Sequence, residues 1–127
     1  MITSKMKVEQ FKRECKSVQY YNMIIEEYDN RIRTLDELLD NLENKNTGNT
    51  KNLLLEQEEL LIERKDFENR RNEVWNKISK IDEKNDQQML IDAFINRIYY
   101  KKLIHKYHFN DSSALYRHIN SVIEKLI

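Results

Sequence analysis

Apolar residues in the first third of the chain recur with a period of seven. Phe11, Val18, Ile25, Ile32 and Leu39 stand seven apart, and Tyr21, Tyr28, Leu35 and Leu42 follow three later. This is the a/d pattern of a helix that buries one seam, and it predicts a single helix over Lys5–Asn46, about 50–60 Å long at 1.5 Å per residue. Asn44–Asn52 (NKNTGNTKN) has no apolar residue and holds the only glycine, Gly48, so a loop is expected there, with Thr50 or Asn52 capping the next helix. Leu53, Leu60, Phe67, Val74 and Ile81 then restart the seven-residue repeat, supported by Leu54, Leu61, Trp75 and Ile78, and predict a helix over Leu53–Ile81. Its complementary seam position is polar (Gln57, Arg64, Arg71), which makes the helix a poor partner for its own copy. An antiparallel fold-back on the first helix is expected instead. It would set Leu35 near Leu61, Leu42 near Leu54, Tyr21 near Trp75 and Val18 near Ile78, with Arg64 and Arg71 laid against Tyr28 and Tyr21.

Four polar residues, Asp82–Asn85, interrupt this pattern. Asn85 with Gln88 has capping-box spacing, and Leu90, Phe94 and Ile98 follow at i, i+4, i+8, predicting a helix over Met89–Ile98. A second short helix is expected from Tyr100 to Tyr107, with Tyr100, Leu103, Ile104 and Tyr107 inward and Lys101, Lys102 and His105 outward. A third begins at Ser112, capped by Asp111 or Ser112, and keeps Leu115, Ile119, Val122, Ile123 and Leu126 on one stripe. The expected class is all-α: a long antiparallel, coiled-coil-like hairpin over residues 1–82, then a three-helix head with a helix-turn-helix over 83–127.

Composition agrees with that class. In 127 residues there is no proline and one glycine, and 35% of the residues are charged, which suits long charged helices and starves β-turns. The formal net charge is zero, but its distribution is uneven. Met1–Asp82 carries 15 Lys/Arg against 17 Asp/Glu, and Glu83–Ile127 carries 7 against 5. From Arg97 onward there are 6 basic residues and 2 acidic ones, and all three histidines lie there. Positive charge therefore gathers at the expected head, where phosphate contacts would need it.

At about 100° per residue the outward face of the third helix centres on Arg117, flanked by Ser113 and Asn120, with Tyr116 and Ser121 at its edges. Arginine suits the guanine O6/N7 edge and asparagine the adenine N6/N7 edge, so Ser113, Tyr116, Arg117 and Asn120 are candidate base-reading residues. Arg97, Lys101, Lys102, Lys106, Ser112 and Ser121 are candidate phosphate contacts, which position a head without specifying sequence.

The stretch YKKLIHKYHF, followed by SSALYRHINSVIEKL, resembles the region-four helix-turn-helix of sigma factors, as found in phage-encoded regulators of the ArpU and RinA kind. The resemblance covers Gln87–Leu126 by motif and the rest only by pattern. It implies a DNA-binding activator of late phage genes, working in the cytoplasm of a bacterial host, with double-stranded DNA as partner and RNA polymerase or another phage regulator as a further one. Two positions depart from the family pattern: Ile104 stands where a small residue is common, and His108 where glycine is.

Self-association is also expected. Val8, Met23, Ile24 and Leu38 lie outside a single seam, and leaving several exposed would forfeit roughly 1.5–3 kcal/mol each. A homodimer through Phe11, Val18, Ile24, Ile25, Ile32, Leu38 and Leu39 would cover them. The competing expectation is a helical interaction module that binds another regulator, such as a repressor, without touching DNA. Neither a Gly-rich phosphate loop nor a catalytic triad is written in the chain, so no enzymatic activity and no cofactor are expected. His105 and His108 straddle a helix end without a third ligand, so no metal is expected either. Cys15 is alone, which excludes an intrachain disulfide, and no stretch approaches the ~20 apolar residues of a membrane span.

Overall fold

The computed structural model describes residues 2–41 and 48–127, and among them every regular element is helical. Six α-helices follow one another: α1 Ser4–Lys16, α2 Val18–Asp40, α3 Gly48–Ser79, α4 Lys84–Leu90, α5 Tyr100–Lys106 and α6 Ser112–Leu126. A π turn, Ile91–Ile95, extends α4.

Several expected boundaries move, each for a local reason. The helix expected over Lys5–Asn46 is broken at Ser17. The Ser17 hydroxyl donates to the Arg13 carbonyl at 2.9 Å, and its N–H is shared between the Arg13 and Glu14 carbonyls, the back-bonding by which serine competes with a helix ladder. Of the expected loop Asn44–Asn52, residues 48–52 are already helical, so Thr50 and Asn52 lie inside α3 rather than capping it, and Thr50 is buried. Its first half lies outside the described residues, as does the Leu42–Leu54 pairing. Helix α3 stops at Ser79, and α4 starts at Lys84 with Glu83, not Asn85, at its N-cap. Gln88 donates to Asp92 at 2.9 Å instead of reaching back to Asn85, and the Gln87 amide donates to the Ile81 carbonyl, just past the end of α3, at 2.6 Å.

The chain forms two compact units. One comprises residues 20–71. Within it α2 and α3 run antiparallel, as the partners show: Asn22 with Arg71, Asp29 with Arg64, Asp36 with Gln57. The polar heptad line of α3 thus meets an equally polar line of α2, both spaced by seven. Arg64 and Arg71 therefore do not lie on Tyr28 and Tyr21; a carboxylate and an amide oxygen offer them stronger, directional bonds. The tyrosines flank Phe67 instead, with ring centroids 6.0 and 6.1 Å away. Ile25, Leu35 and Leu60 are buried, whereas Leu61, expected to meet Leu35, is half-exposed. The polar line takes up one edge of the contact, and the Leu53–Leu60–Phe67 line supplies the apolar side.

The other unit joins residues 1–19 to 72–127, so the expected boundary at Asp82 falls inside it. Its core gathers Val8, Phe11, Cys15 and Val18 with Val74, Ile78 and Ile81, and then with Met89, Leu90, Phe94, Ile95, Leu103, Leu115, Ile119 and Ile123. Helix α6 packs on α1, α4 and α5, and the π turn packs on α1 and α5. The first helix is thus a wall of the C-terminal bundle.

Candidate nucleic-acid interface

The candidate site is built on α5, the connection Tyr107–Asp111, and α6. Helix α5 is short and ends in a left-handed residue: His108 has φ 62°, and the Phe109 N–H returns to the Ile104 carbonyl at 3.0 Å. This is a Schellman closure, whose left-handed position usually holds glycine. His108 occupies it at a steric cost that glycine would not incur. Phe109, the residue beyond, packs on the core and lies 5.5 Å from the His118 ring, so the closure also aims α6. Asp111 then caps α6, its carboxylate accepting from the Ala114 N–H at 2.8 Å.

Leu115, Ile119, Val122 and Ile123 bury one side of α6, and this fixes what the other side presents. Ser113, Tyr116, Arg117 and Ser121 are exposed, and Ser112 at the helix start is half-buried. The Arg117 Nε donates to the Ser113 carbonyl at 3.3 Å, lying along its own helix. Asn120 is different. It is half-buried, and its Oδ1 is enclosed with no hydrogen-bond partner. A side chain held that way does not offer its full amide edge to a base, so the candidates expected to read bases that present their polar groups to solvent are Ser113, Tyr116 and Arg117. Glu124, which sequence reasoning passed over, stands on the same outward face and is exposed.

Among the candidate phosphate contacts, Lys101 and Lys102 are exposed on α5. Two others are occupied within the fold. Arg97 is left-handed (φ 52°), and its guanidinium donates to the Lys16 carbonyl at 3.0 Å, closing the C-terminal end of α1. Lys106 is paired with Asp92, Nζ to Oδ2, at 2.7 Å.

Asp92 is the residue that the periodicity concealed. It sits in the π turn with 2% of its surface exposed. Its carboxylate accepts from Lys106 Nζ and Tyr107 Oη at 2.7 Å each and from Gln88 Nε2 at 2.9 Å, with Asn96 Nδ2 at 3.5 Å. Burial alone pushes its carboxyl up, but the hydrogen bonds from Lys106, Tyr107 and Gln88 outweigh it and hold the acid below its usual range. The same contacts raise Lys106, and burial with the Asp92 bond raises the Tyr107 phenol. A second polar tie joins α4 to α6, His118 Nε2 to Asp86 Oδ1 at 2.7 Å. The orientation of α5 and α6 is therefore set by a buried acid as well as by apolar packing. The one signal for it in the sequence is an aspartate inside the apolar run MLIDAFI.

The oligomerisation set divides as well. Phe11 and Val18 are 2% and 0% exposed within this chain's own core, so they are not available to a second copy. Their heptad spacing seats the end of α1 and the start of α2 in that core instead. Ile25 is buried, Ile24, Ile32 and Leu39 are half-buried, and Leu38 is exposed. Cys15 is fully buried beside Glu14, and burial first, then that carboxylate, pushes its thiol up to about 12, which makes it an inert thiol.

Charge follows the two compact units. The unit holding α5 and α6 carries 14 Lys/Arg against 9 Asp/Glu, net +5, and residues 20–71 carry 8 against 13, net −5. Division at Asp82 hides this separation because it groups Lys5, Lys7, Lys12, Arg13 and Lys16 with residues 20–71. Among the described residues no group of three His, Cys, Asp or Glu is placed to hold a metal ion, and no helix is long and apolar enough to cross a membrane. Compared with protein-family models, curated proteins and solved structures, the chain matches none.

Proposed function

We propose that this chain is a sequence-specific, DNA-binding transcriptional regulator, a late-gene activator of a phage or prophage that works as a homodimer in the host cytoplasm. In this reading α5 and α6 are the two helices of a helix-turn-helix, and α2 with α3 form a helical hairpin. The observation that carries it is the outward face of α6. Arg117, Ser113 and Tyr116 stand in solvent there, on a unit of net charge +5 with Lys101 and Lys102 exposed on the preceding helix. The hydrogen bond that Arg117 makes within its helix uses Nε, and its terminal nitrogens are the atoms that would meet a guanine edge. Lys101 and Lys102 would take phosphates and fix the register of α6 in a major groove. Mobility shift of the full chain on promoter fragments across a salt series tests the reading. Binding that weakens with salt and prefers one fragment supports it, and no binding at low salt refutes it.

The second reading is a protein-interaction module that engages another regulator through residues 20–71. The observation in its favour is the net charge of −5 on that unit, which repels DNA and would attract a basic partner.

A further inference from the structure

Helix α1 carries five cations, Lys5, Lys7, Lys12, Arg13 and Lys16, against two acids, Glu9 and Glu14. Val8, Phe11 and Cys15 commit one side of it to the core. At about 100° per residue, Lys5, Glu9, Lys12, Arg13 and Lys16 then fall together on an outer stripe about 16 Å long. All of these but Lys12 are exposed. The stripe ends beside the connection that leads into α5. Lys12 Nζ and Lys16 Nζ stand 5.9 and 6.0 Å from the centroid of one ring, Phe94 in the π turn, so they lie within about 12 Å of each other. Arg97, in the connection itself, donates to the Lys16 carbonyl at 3.0 Å.

Folding does not account for this charge. Lys5 and Lys7 occupy the first turn of α1, where no acid stands, and the helix dipole disfavours cations at that end. The last turn does favour them, which explains Arg13 and Lys16 but not the rest of the stripe. Pairing is also incomplete. Glu9 holds Lys12 at 3.2 Å, and Glu14 is taken up by Lys77 at 3.5 Å. Among the described residues, Lys5, Arg13, Lys16 and Arg97 have no carboxylate within 4.0 Å.

We infer that this stripe of α1 binds phosphates of the duplex that α6 reads, beyond those taken by Lys101 and Lys102. The inference rests on DNA binding by α5 and α6 as proposed above. Charge selects the occupant, since the stripe sets four Lys/Arg against one Glu, net +3. Its cations are strung along a line instead of converging on a point, which suits an extended polyanion and not a small anion. Each strand of DNA presents such a line, one phosphate per ~3.4 Å of axis. Phe94 holds two of the ammonium groups near its ring, so less of their freedom is lost on binding. Arg97 ties the end of the stripe to the segment that leads to Lys101 and Lys102, which sets both groups of cations on neighbouring parts of one unit. The phosphate-binding surface is thus drawn from both ends of the sequence.

Fluorescence anisotropy of the full chain on labelled promoter duplexes, across a salt series, tests this. Lys5→Gln with Arg13→Gln and Lys16→Gln should weaken binding to all duplexes alike. It should flatten the log–log salt slope by about two to three, at unchanged helical circular dichroism and unchanged preference among duplexes. Glu9→Gln should do the opposite: it frees Lys12, tightens binding to every duplex and steepens the slope by about one. A folding defect cannot mimic that gain. Lys80→Gln with Lys125→Gln takes charge from another cleft of the same unit, one lined by Asp82, Glu83 and Asp86, and should leave the slope as it is. A triple variant with the wild-type slope, a Glu9→Gln chain that binds no tighter, or an equal loss from the Lys80/Lys125 variant would each overturn the assignment to α1 while leaving DNA binding in place. A wild type that binds no duplex at low salt would instead remove the function proposed above, and this surface with it.

Discussion

Lys106 holds its ammonium 2.7 Å from the carboxylate of Asp92, an acid with 2% of its surface exposed. The pair joins the π turn to the end of α5, and Tyr107 and Gln88 complete the shell around the acid. Asp92→Ala leaves the Tyr107 hydroxyl without its acceptor and removes three hydrogen bonds to a charged group, which should cost about 2–3 kcal/mol of stability by urea titration. Lys106→Met should cost less, because Tyr107 and Gln88 still satisfy the acid and the lysine itself is half in water.

The same network sets a pH dependence. Asp92 titrates below its usual 3.8 in the folded chain, so its contribution is complete above that value and is lost as pH falls through the lowered one. Lys106 and Tyr107 are raised above 10.5 and 10.0, so theirs is complete below those values and is lost as pH rises through the folded ones. The stability difference between wild type and Asp92→Asn should therefore be widest between about pH 5 and 9 and shrink at both extremes. A difference that stays constant down to pH 2 would show that the carboxylate is not held as described.

Phe11 lies in the same core as Leu115 and Ile119, although about one hundred residues separate them in the chain. Phe11→Ala should destabilise the basic unit by about 3–5 kcal/mol, and residues 83–127 expressed alone should lack cooperative unfolding. Calorimetry of that fragment decides the point; a sharp transition would mean that α1 is dispensable.

Both left-handed residues, Arg97 and His108, sit where glycine fits better. His108→Gly should raise stability by about 0.5–1 kcal/mol, net of the freedom that glycine gains when unfolded. The same change at Arg97 should gain less or nothing, since it also removes the bond to the Lys16 carbonyl.

On DNA, Arg117→Ala should erase sequence preference at about 1–3 kcal/mol. Lys101→Ala with Lys102→Ala should weaken all sequences alike and flatten the salt dependence by about two in log–log slope, from roughly −7 to −9 for a dimer or near −4 for a monomer. Asn120→Ala should leave affinity unchanged, because its carbonyl oxygen is enclosed in the fold. If Asn120→Ala costs as much as Arg117→Ala, the division of the α6 face is wrong.

What the sequence disclosed was local. The bounds of α5 and α6, the Asp111 cap and the inward stripe of α6 follow from periodicity and capping chemistry, which act over a few residues. What it concealed depended on the choice of partner. A heptad marks a buried stripe without naming what buries it, so Phe11 and Val18 read as a dimer seam although the chain's own core buries both. Gln57, Arg64 and Arg71 read as a defect in the α3 seam, because their acceptors Asn22, Asp29 and Asp36 lie 21 to 49 residues away. Gly48–Asn52 read as loop because small and polar residues suit a helix start as well as a turn. Asp92 escaped notice because one acid in an apolar run gives no period.

The basic unit is assembled from the two ends of the sequence, with residues 20–71 inserted between them. On a ribosome adding roughly 5–20 residues per second, Val8 and Phe11 wait about 5–20 s for the helix that covers them. The inserted unit has all its partners in place well before then and is free to fold first. Nascent chains would hold an uncovered apolar α1 throughout that interval, and chaperone capture should centre on it.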